Sequence, residues 1–353
     1  MEAIRTDSYA VYFSGNAYQA LKDHLDASSY SQVFLLTDSN TARHCDPAFL
    51  QAFPEAASWP RLSIQAGEAH KTIDTCMEVW TGLSGAGADR KSLLVNLGGG
   101  VVTDLGGFVA STYQRGIDFI NIPTTLLSMV DASVGGKTGV DLGSLKNQIG
   151  VINQPVMVLV DTEYLKTLDG RELRSGFAEM LKHGLICDAA YWEELSALRP
   201  EQVTGQHIYR SVALKNDVVQ QDPTEKNLRK ILNFGHTLGH AIESYFLNSG
   251  GSEPLLHGEA IAVGMILESF LSVELCGLPQ ADCDAIKQVI LAQFPRVSIS
   301  RQQREAISTL LVHDKKNAHG RIYFSLLEGI GNACYNKEVP PALVSQAFDY
   351  YAE

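Results

Sequence analysis

Four short runs, residues 33–37, 92–97, 119–122 and 156–160, are almost continuously apolar, and stretches with helix-like spacing separate them. A strand that is apolar on both faces must be covered on both, so such runs belong inside a mostly parallel sheet flanked by helices. This alternation predicts a Rossmann-like α/β domain in the first half of the chain. Beyond about residue 161 the period changes. Residues 173–185, 208–219, 235–246 and 258–276 set apolar side chains three and four apart, as helices with a buried face do. At 353 residues the chain exceeds one ordinary core. The expected organisation is an α/β domain at 1–165 and an all-α domain at 166–353, with no internal repeat, low-complexity tract or long linker.

The net charge of −12 argues against a nucleic-acid or anionic-membrane partner, because both need clustered positive potential. Any anionic ligand must be captured by individually placed cations. No apolar run approaches the ~20 residues of a membrane span, and no basic stretch with an apolar signal core opens the chain. A cytoplasmic location is expected. The six cysteines are scattered without a CxxC pair and read as thiols of a reducing compartment.

Gly98-Gly99-Gly100 follows the strand at 92–97, and Val101 to Asp104 opens a helix-like segment. Glycines there let backbone approach a diphosphate, and the helix start offers N–H groups and a favourable dipole. The signal is incomplete, since Thr103 stands where a GxGxxG motif has its third glycine. Asp38 and Asn40 end one strand, and Thr124 and Thr125 follow another. Singly these are ordinary turn residues; at three strand ends together they favour a dinucleotide. Gly135-Gly136-Lys137-Thr138-Gly139 lacks the P-loop spacing, yet leaves the Lys137 ammonium accessible to an anion. Lys146 and Asn147 add a cation and an amide nearby.

His236 and His240 lie four apart, on one face of a helix, His257 begins another helical segment, and Glu179 lies on an earlier one. Carboxylate and imidazoles with an open position describe a catalytic zinc site. Spacing alone favours His236 and His240 as ligands. Lys182, Lys215, Arg229 and Lys230 surround the set in sequence, although solvated helix charges are the usual fate of such residues.

These motifs together make the chain resemble the dehydroquinate synthases of the sugar phosphate cyclase family. The resemblance runs through Gly67-Glu68, Lys71-Thr72, Gly98 to Asp104, Arg115-Gly116, Pro123 to Asp131, Gly135 to Gly139, Lys146-Asn147, Arg171-Glu172, Glu179 to Lys182, Asn233 to His240, His257-Gly258-Glu259 and Asp314 to Asn317. It covers nearly the whole chain in order. It implies an NAD-binding α/β domain, an α-helical domain holding zinc (with cobalt as a substitute), and an active site in the cleft between them. Its ligands correspond to Glu179, His236 and His257, with His240 released to handle protons. Glu68, Lys71, Val101, Asp104, Lys146, Thr167 and Glu172 would join Asp38, Asn40, Gly98, Gly99, Gly100, Thr124, Thr125 and Lys137 in holding NAD. Asp131, Lys137, Asn147, Lys182, Lys215, Arg229, Asn233, His240 and Lys316 (or its neighbour Lys315) would address the substrate. Arg115 would reach the phosphate from a neighbouring subunit, which implies a homodimer.

The implied reaction converts a phosphorylated sugar acid, 3-deoxy-D-arabino-heptulosonate 7-phosphate, into 3-dehydroquinate and phosphate, by transient oxidation, phosphate elimination, re-reduction, ring opening and aldol closure. This is a lyase step of the shikimate pathway to chorismate and the aromatic amino acids. The chain departs from the family pattern at Leu145, Ala132 and Asp169 and carries an insertion at 248–252. Three rivals stand beside it: a cyclase of another seven-carbon phosphate or of glucose 6-phosphate, which has no carboxylate for Arg229 and Asn233 to hold; a metal-dependent alcohol or glycerol dehydrogenase, which would not need the cations; and a catalytically silent binding module, which would not need Glu179, His236, His257 and Lys182.

Overall fold

The computed structural model describes residues 1–6, 8–143, 145–248, 254–311 and 322–353. They form two compact units, Met1–Asp169 with Thr204–Asn216 and Gly170–Val203 with Asp217–Glu353.

In chain order the first unit holds strands β1 (Ile4–Arg5) and β2 (Ala10–Phe13), helix α1 (Gly15–Ala27), β3 (Val33–Asp38), helices α2 (Ser39–His44) and α3 (Asp46–Ala52), and β4 (Arg61–Ile64). Helix α4 (Ile73–Gly85), β5 (Leu93–Gly98), α5 (Gly100–Thr112), β6 (Asp118–Pro123), the hairpin β7 (Lys137–Leu142) and β8 (Leu145–Ile152), and β9 (Met157–Val160) follow. Seven strands make one sheet in the order β1-β2-β9-β6-β5-β3-β4, parallel throughout except for the β1–β2 edge. The four apolar runs are its centre, β3, β5, β6 and β9. Phe34, Leu36, Leu94 and Phe119 pack with Val102, Leu105 and Phe108 of α5 in one core, each contributing roughly 1.5–3 kcal/mol of burial. Strands β1, β2 and β4 are short, and no long apolar run announces them. The β7–β8 hairpin forms where sequence suggested an anion loop; Gly139 and Gly150 face each other across it, and a Cβ on Gly150 would lie 2.3 Å from the Thr138 carbonyl.

Helices α6 (Gly170–Cys187), α7 (Ala189–Ser196), α8 (Gly205–Gln221), α9 (His236–Asn248), α10 (His257–Cys276), α11 (Gln280–Gln293) and α12 (Arg301–Leu311) follow, then a hairpin, β10 (Tyr323–Gly329) and β11 (Asn332–Glu338), and α13 (Pro341–Ala352). The hairpin is the one β element described in this otherwise helical half. Its first strand buries Phe324 to Leu327, Gly331 takes the left-handed backbone of the turn, and the Gly331 N–H donates to the Leu185 carbonyl of α6. The first unit runs to Asp169 and takes in 204–216, where Tyr209 of α8 packs its ring 5.1 Å from Phe13.

Helix α10 is buried nearly all round and contacts α6, α9, α11 and α13. Small residues set these approaches: a Cβ on Gly258 would fall 2.0 Å from the Ser175 carbonyl of α6, and one on Gly264 would fall 2.0 Å from the Gly235 carbonyl at the start of α9. No described helix is long and apolar enough to cross a membrane.

Candidate active site

In the first unit the chain runs from β3 outward to β4 and then back past β3 to β5, so the strand order reverses between β3 and β5. Ligands of open α/β sheets bind at the carboxyl ends of strands beside such a reversal. There β3 ends in Asp38 and β5 in Gly98. Gly99 caps α5 with no side-chain hydrogen bond, and its Cβ position is only 3.0 Å from Thr125 Cγ2. Gly98 to Val101 thus form a turn and helix start shaped for close approach by an anion. Thr124 continues the same edge, its N–H donating to the Gly98 carbonyl at 3.0 Å. Asp38 has a structural task as well: its Oδ1 accepts from the N–H groups of Asn40 and Thr41 at 2.9 and 2.8 Å and caps α2. Asn40 is exposed, and so is Thr167, whose hydroxyl donates to the Tyr164 carbonyl.

The cations of this unit stand beside carboxylates. Lys71 is 4% exposed and donates to Asp104 at 2.6 Å and to Asn147 Oδ1 at 2.7 Å. Burial works to lower its pKa, but Asp104 and Glu68 outweigh it and hold the ammonium above its ordinary value. Lys146 pairs with Glu68 at 2.9 Å. Lys215 donates to the carbonyl and carboxylate of Asp131, at 2.5 and 2.6 Å, on a π-turn at Ser128–Ala132. Lys137, at the start of β7, and Arg115, whose backbone is left-handed (φ 76°), are exposed.

In the second unit Glu179 of α6, His236 and His240 of α9, and His257 of α10 come together. The Nε2 atoms of His236 and His257 lie 3.5 and 3.6 Å from the same oxygen, Glu179 Oε1. Nitrogens of His236, His240 and His257 also lie within 4.8 Å of one another. A tetrahedral ion with bonds of about 2.0–2.2 Å keeps its ligands about 3.3–3.6 Å apart, so these separations fit one. The other ring nitrogens are engaged: His236 Nδ1 with the Phe234 carbonyl at 3.0 Å, and His257 Nδ1 with Glu243 at 3.2 Å. Both partners are acceptors, so each Nδ1 carries the proton. Burial works to lower the His257 pKa, yet the Glu243 and Glu179 carboxylates outweigh it and push it up to about 9. The residues thus fit a divalent cation: a carboxylate and imidazoles face one point and need positive charge there.

Lys182 is buried and ion-paired with Glu179. Arg229 is buried too, donating from Nη1 to the Pro223 carbonyl at 2.8 Å. Its loop is organised by Asp222, which accepts N–H groups of Lys226, Asn227 and Arg229; burial opposes ionisation, but these donors hold the carboxyl below its usual range. Asn233 donates to Glu225 at 2.5 Å. Glu172 is half-buried in the first turn of α6. Lys315, Lys316 and the 248–252 insertion lie outside the described residues, apart from the end of α9 at Asn248. Sequence reasoning passed over Glu225, Glu243 and Glu268. Only Glu243 had a signal, standing seven residues after His236 and so on the same helical face.

Two family models match the chain in succession: 3-dehydroquinate synthase N-terminal over residues 61–175 and 3-dehydroquinate synthase C-terminal over 176–317. A 3-dehydroquinate synthase of Parabacteroides distasonis is 40% identical over 94% of this chain and 95% of its own. That of Acidithiobacillus ferrooxidans is 41% identical over 93% and 91%. Among solved structures, 2-deoxy-scyllo-inosose synthase complexed with carbaglucose-6-phosphate, NAD+ and Co2+ is similar with a TM-score of 0.84 and 26% identity, covering 98% of each chain. An iron-containing alcohol dehydrogenase shares the fold, with a TM-score of 0.67, 14% identity and 99% of each chain covered. With these matches spanning nearly its full length, the chain belongs to the 3-dehydroquinate synthase family.

Proposed function

We infer that this chain converts 3-deoxy-D-arabino-heptulosonate 7-phosphate into 3-dehydroquinate and phosphate, as a carbon–oxygen lyase of aromatic amino acid biosynthesis. The convergence of Glu179, His236 and His257 on one point carries the reading, in a chain so similar to 3-dehydroquinate synthases. When bound, NAD would supply reversible hydride transfer at a substrate carbinol, so that elimination occurs beside a ketone with no net redox change. A divalent ion, zinc or cobalt, held by Glu179, His236 and His257, supplies Lewis acidity toward neighbouring substrate hydroxyls.

The protein's own groups do the rest. Gly98 to Val101 present N–H groups to the cofactor diphosphate. Asp38 and Asn40, Thr124 and Thr125, Thr167 and Glu172, and the Glu68–Lys146 and Lys71–Asp104 pairs frame the dinucleotide. Arg229 offers a planar fork to the substrate carboxylate, with Asn233 beside it. Lys137, Asn147, Lys182, Lys215 and Lys316 neutralise and orient the anion, with Asp131 holding Lys215 in place. As phosphate departs with the electron pair of its C–O bond, the proton of the adjacent carbon must be accepted nearby. His240, with an imidazole on the same helix as His236, is the group we assign to accept it. Ring opening and an intramolecular aldol then close the carbocycle.

A homodimer completes the proposal. The β7–β8 hairpin exposes Leu142, Leu145, Val151 and Ile152 (56, 42, 38 and 52%), an apolar surface suited to a second copy, and exposed Arg115 can reach that copy's phosphate. Six free cysteines fit the reducing cytoplasm.

One assay tests the reaction. Purified protein with zinc, NAD and the heptulosonate phosphate releases phosphate without accumulating NADH. Steady NADH formation from a polyol would instead establish a dehydrogenase. Turnover of glucose 6-phosphate in preference to the sugar acid would make it a cyclase of sugar phosphates that carry no carboxylate.

A further inference from the structure

We propose that Glu268 is a positioning residue that orients His236 through a single peptide group. Glu268 sits on α10, is fully buried, and reaches the start of α9. Its Oε2 accepts from the Gly235 N–H at 2.7 Å and its Oε1 from the Leu238 N–H at 3.0 Å. Gly235 N belongs to the same peptide group as the Phe234 carbonyl, and that carbonyl accepts from His236 Nδ1 at 3.0 Å. The connection therefore runs from carboxylate to N–H, across one peptide plane to C=O, and on to the imidazole.

Three consequences follow from elementary chemistry. A carbonyl has no proton to give, so the contact fixes the proton on Nδ1 and leaves the Nε2 lone pair facing Glu179. A carboxylate on the N–H side polarises the peptide and strengthens its carbonyl as an acceptor, as linked hydrogen bonds do. The peptide also needs an anchor. Gly235 has left-handed backbone (φ 77°), and a Cβ there would fall 2.6 Å from Met265 Cγ, so this hinge is glycine and intrinsically free to turn. The anchored carboxylate removes that freedom for the peptide that aims His236. Its second oxygen, on Leu238, ties down the first turn of α9 beyond the histidine. His257 obtains the same service directly, from Glu243 at 3.2 Å; His236 obtains it at one remove, from a helix that also carries His257.

The inference rests on the metal reading, and the experiment separates the two. Zinc affinity is measured by competition with a chromophoric chelator for the full-length wild type, Glu268→Gln, His236→Ala and Leu267→Ala, the last removing a buried side chain next to Glu268. Failure of the wild type to bind one zinc per chain would sink the metal reading itself. Given that binding, Glu268→Gln keeps the side-chain volume but turns one acceptor into a donor facing an N–H. Zinc affinity should fall on the order of tenfold, as for other groups that orient a metal-binding histidine. The visible absorption of the cobalt-loaded variant should change as well. Leu267→Ala should lower the melting temperature while leaving zinc affinity within about twofold. A Glu268→Gln protein that melts lower yet binds zinc and absorbs as cobalt enzyme like the wild type would reduce Glu268 to a helix cap and overturn the proposal. If Glu268→Gln does not fold, hydrogen exchange of the Gly235 amide in the wild type decides. Zinc loading must slow it; an unchanged rate is the opposing result.

Discussion

The site residues of the first unit are charges already answered, whereas those of the second are electron-rich atoms facing one another. Lys71, Lys146 and Lys215 each stand within 2.9 Å of a carboxylate, Asp104, Glu68 and Asp131. In a chain with a net charge of −12, local pairing holds such cations in fixed places, and an incoming anion can share them with their carboxylates. Around Glu179, whose Oε2 already pairs with Lys182, the Nε2 atoms of His236 and His257 both face the second oxygen, Oε1, an arrangement that a bound cation would stabilise. The first arrangement suits an anion; the second suits a metal. Their responses to substitution should therefore differ in kind.

The largest effect is expected in the second. His257→Ala removes one of the three proposed ligands, and stoichiometric zinc should disappear together with turnover. Losing several kcal/mol of charge stabilisation corresponds to roughly a thousandfold in rate or more. Normal zinc content in the purified variant would remove His257 from the ligand set. Next comes the first unit, where Lys71→Met leaves Asp104 without its cation in a largely buried place. Breaking such a pair from one side costs about 3 kcal/mol or more, read as a lower urea midpoint. Zinc affinity should not move. The double variant Lys71→Met, Asp104→Leu should recover much of the loss; failure to recover would mean that Lys71 acts through packing instead.

The same contrast governs how much was legible in the sequence. Central strands announced themselves, because burial on both faces leaves an apolar run that no other element needs at such short length. Helices α6, α8, α9 and α10 showed their period, and His236 and His240 could be placed on one face from spacing alone. The edge strands and the β10–β11 hairpin were illegible: their few residues are held by neighbours, such as the Leu185 carbonyl, that no local pattern encodes. Partnership was hidden for the same reason. Nothing in the string says that Glu243 meets His257, that Glu268 reaches back to Gly235, or that Lys71 finds Asp104, since each pair is joined by packing between separate elements. His240 marks the other limit. Helical spacing groups it with His236 as a ligand, the family resemblance assigns it to protons, and its ring lies 5.1 Å from His236 and 5.7 Å from His257, a position from which either task is reachable.

A smaller effect isolates the direct carboxylate contact. Glu243→Gln retains an oxygen that can accept from His257 Nδ1 but removes the charge, so zinc affinity should weaken about 10–100-fold with the ligands still present. Equal affinity in the variant would mean that hydrogen-bond direction suffices and the Glu243 charge is idle.

The smallest effect concerns pH and belongs to the zinc-free protein alone. His257 has its pKa raised in the folded chain from the ordinary 6.5 to about 9, because Glu243 and Glu179 together outweigh its burial. Below about pH 6.5 both folded and unfolded chains carry the proton, and the stabilisation is present in full. Between 6.5 and 9 the unfolded chain gives it up while the folded chain keeps it, so stability is lost as pH rises and is gone above the upper value. In the presence of a chelator the melting temperature should fall by about a few degrees across this window, and His257→Gln should flatten the slope. Zinc must displace the same proton, so its affinity should tighten as pH rises through the window. Lys71, the best-buried cation of the first unit, is held above its ordinary value of 10.5 and stays charged throughout. A slope that survives His257→Gln would place the titrating group elsewhere, and would remove the proton from the account of why the imidazoles and carboxylates of the second unit tolerate one another without a metal.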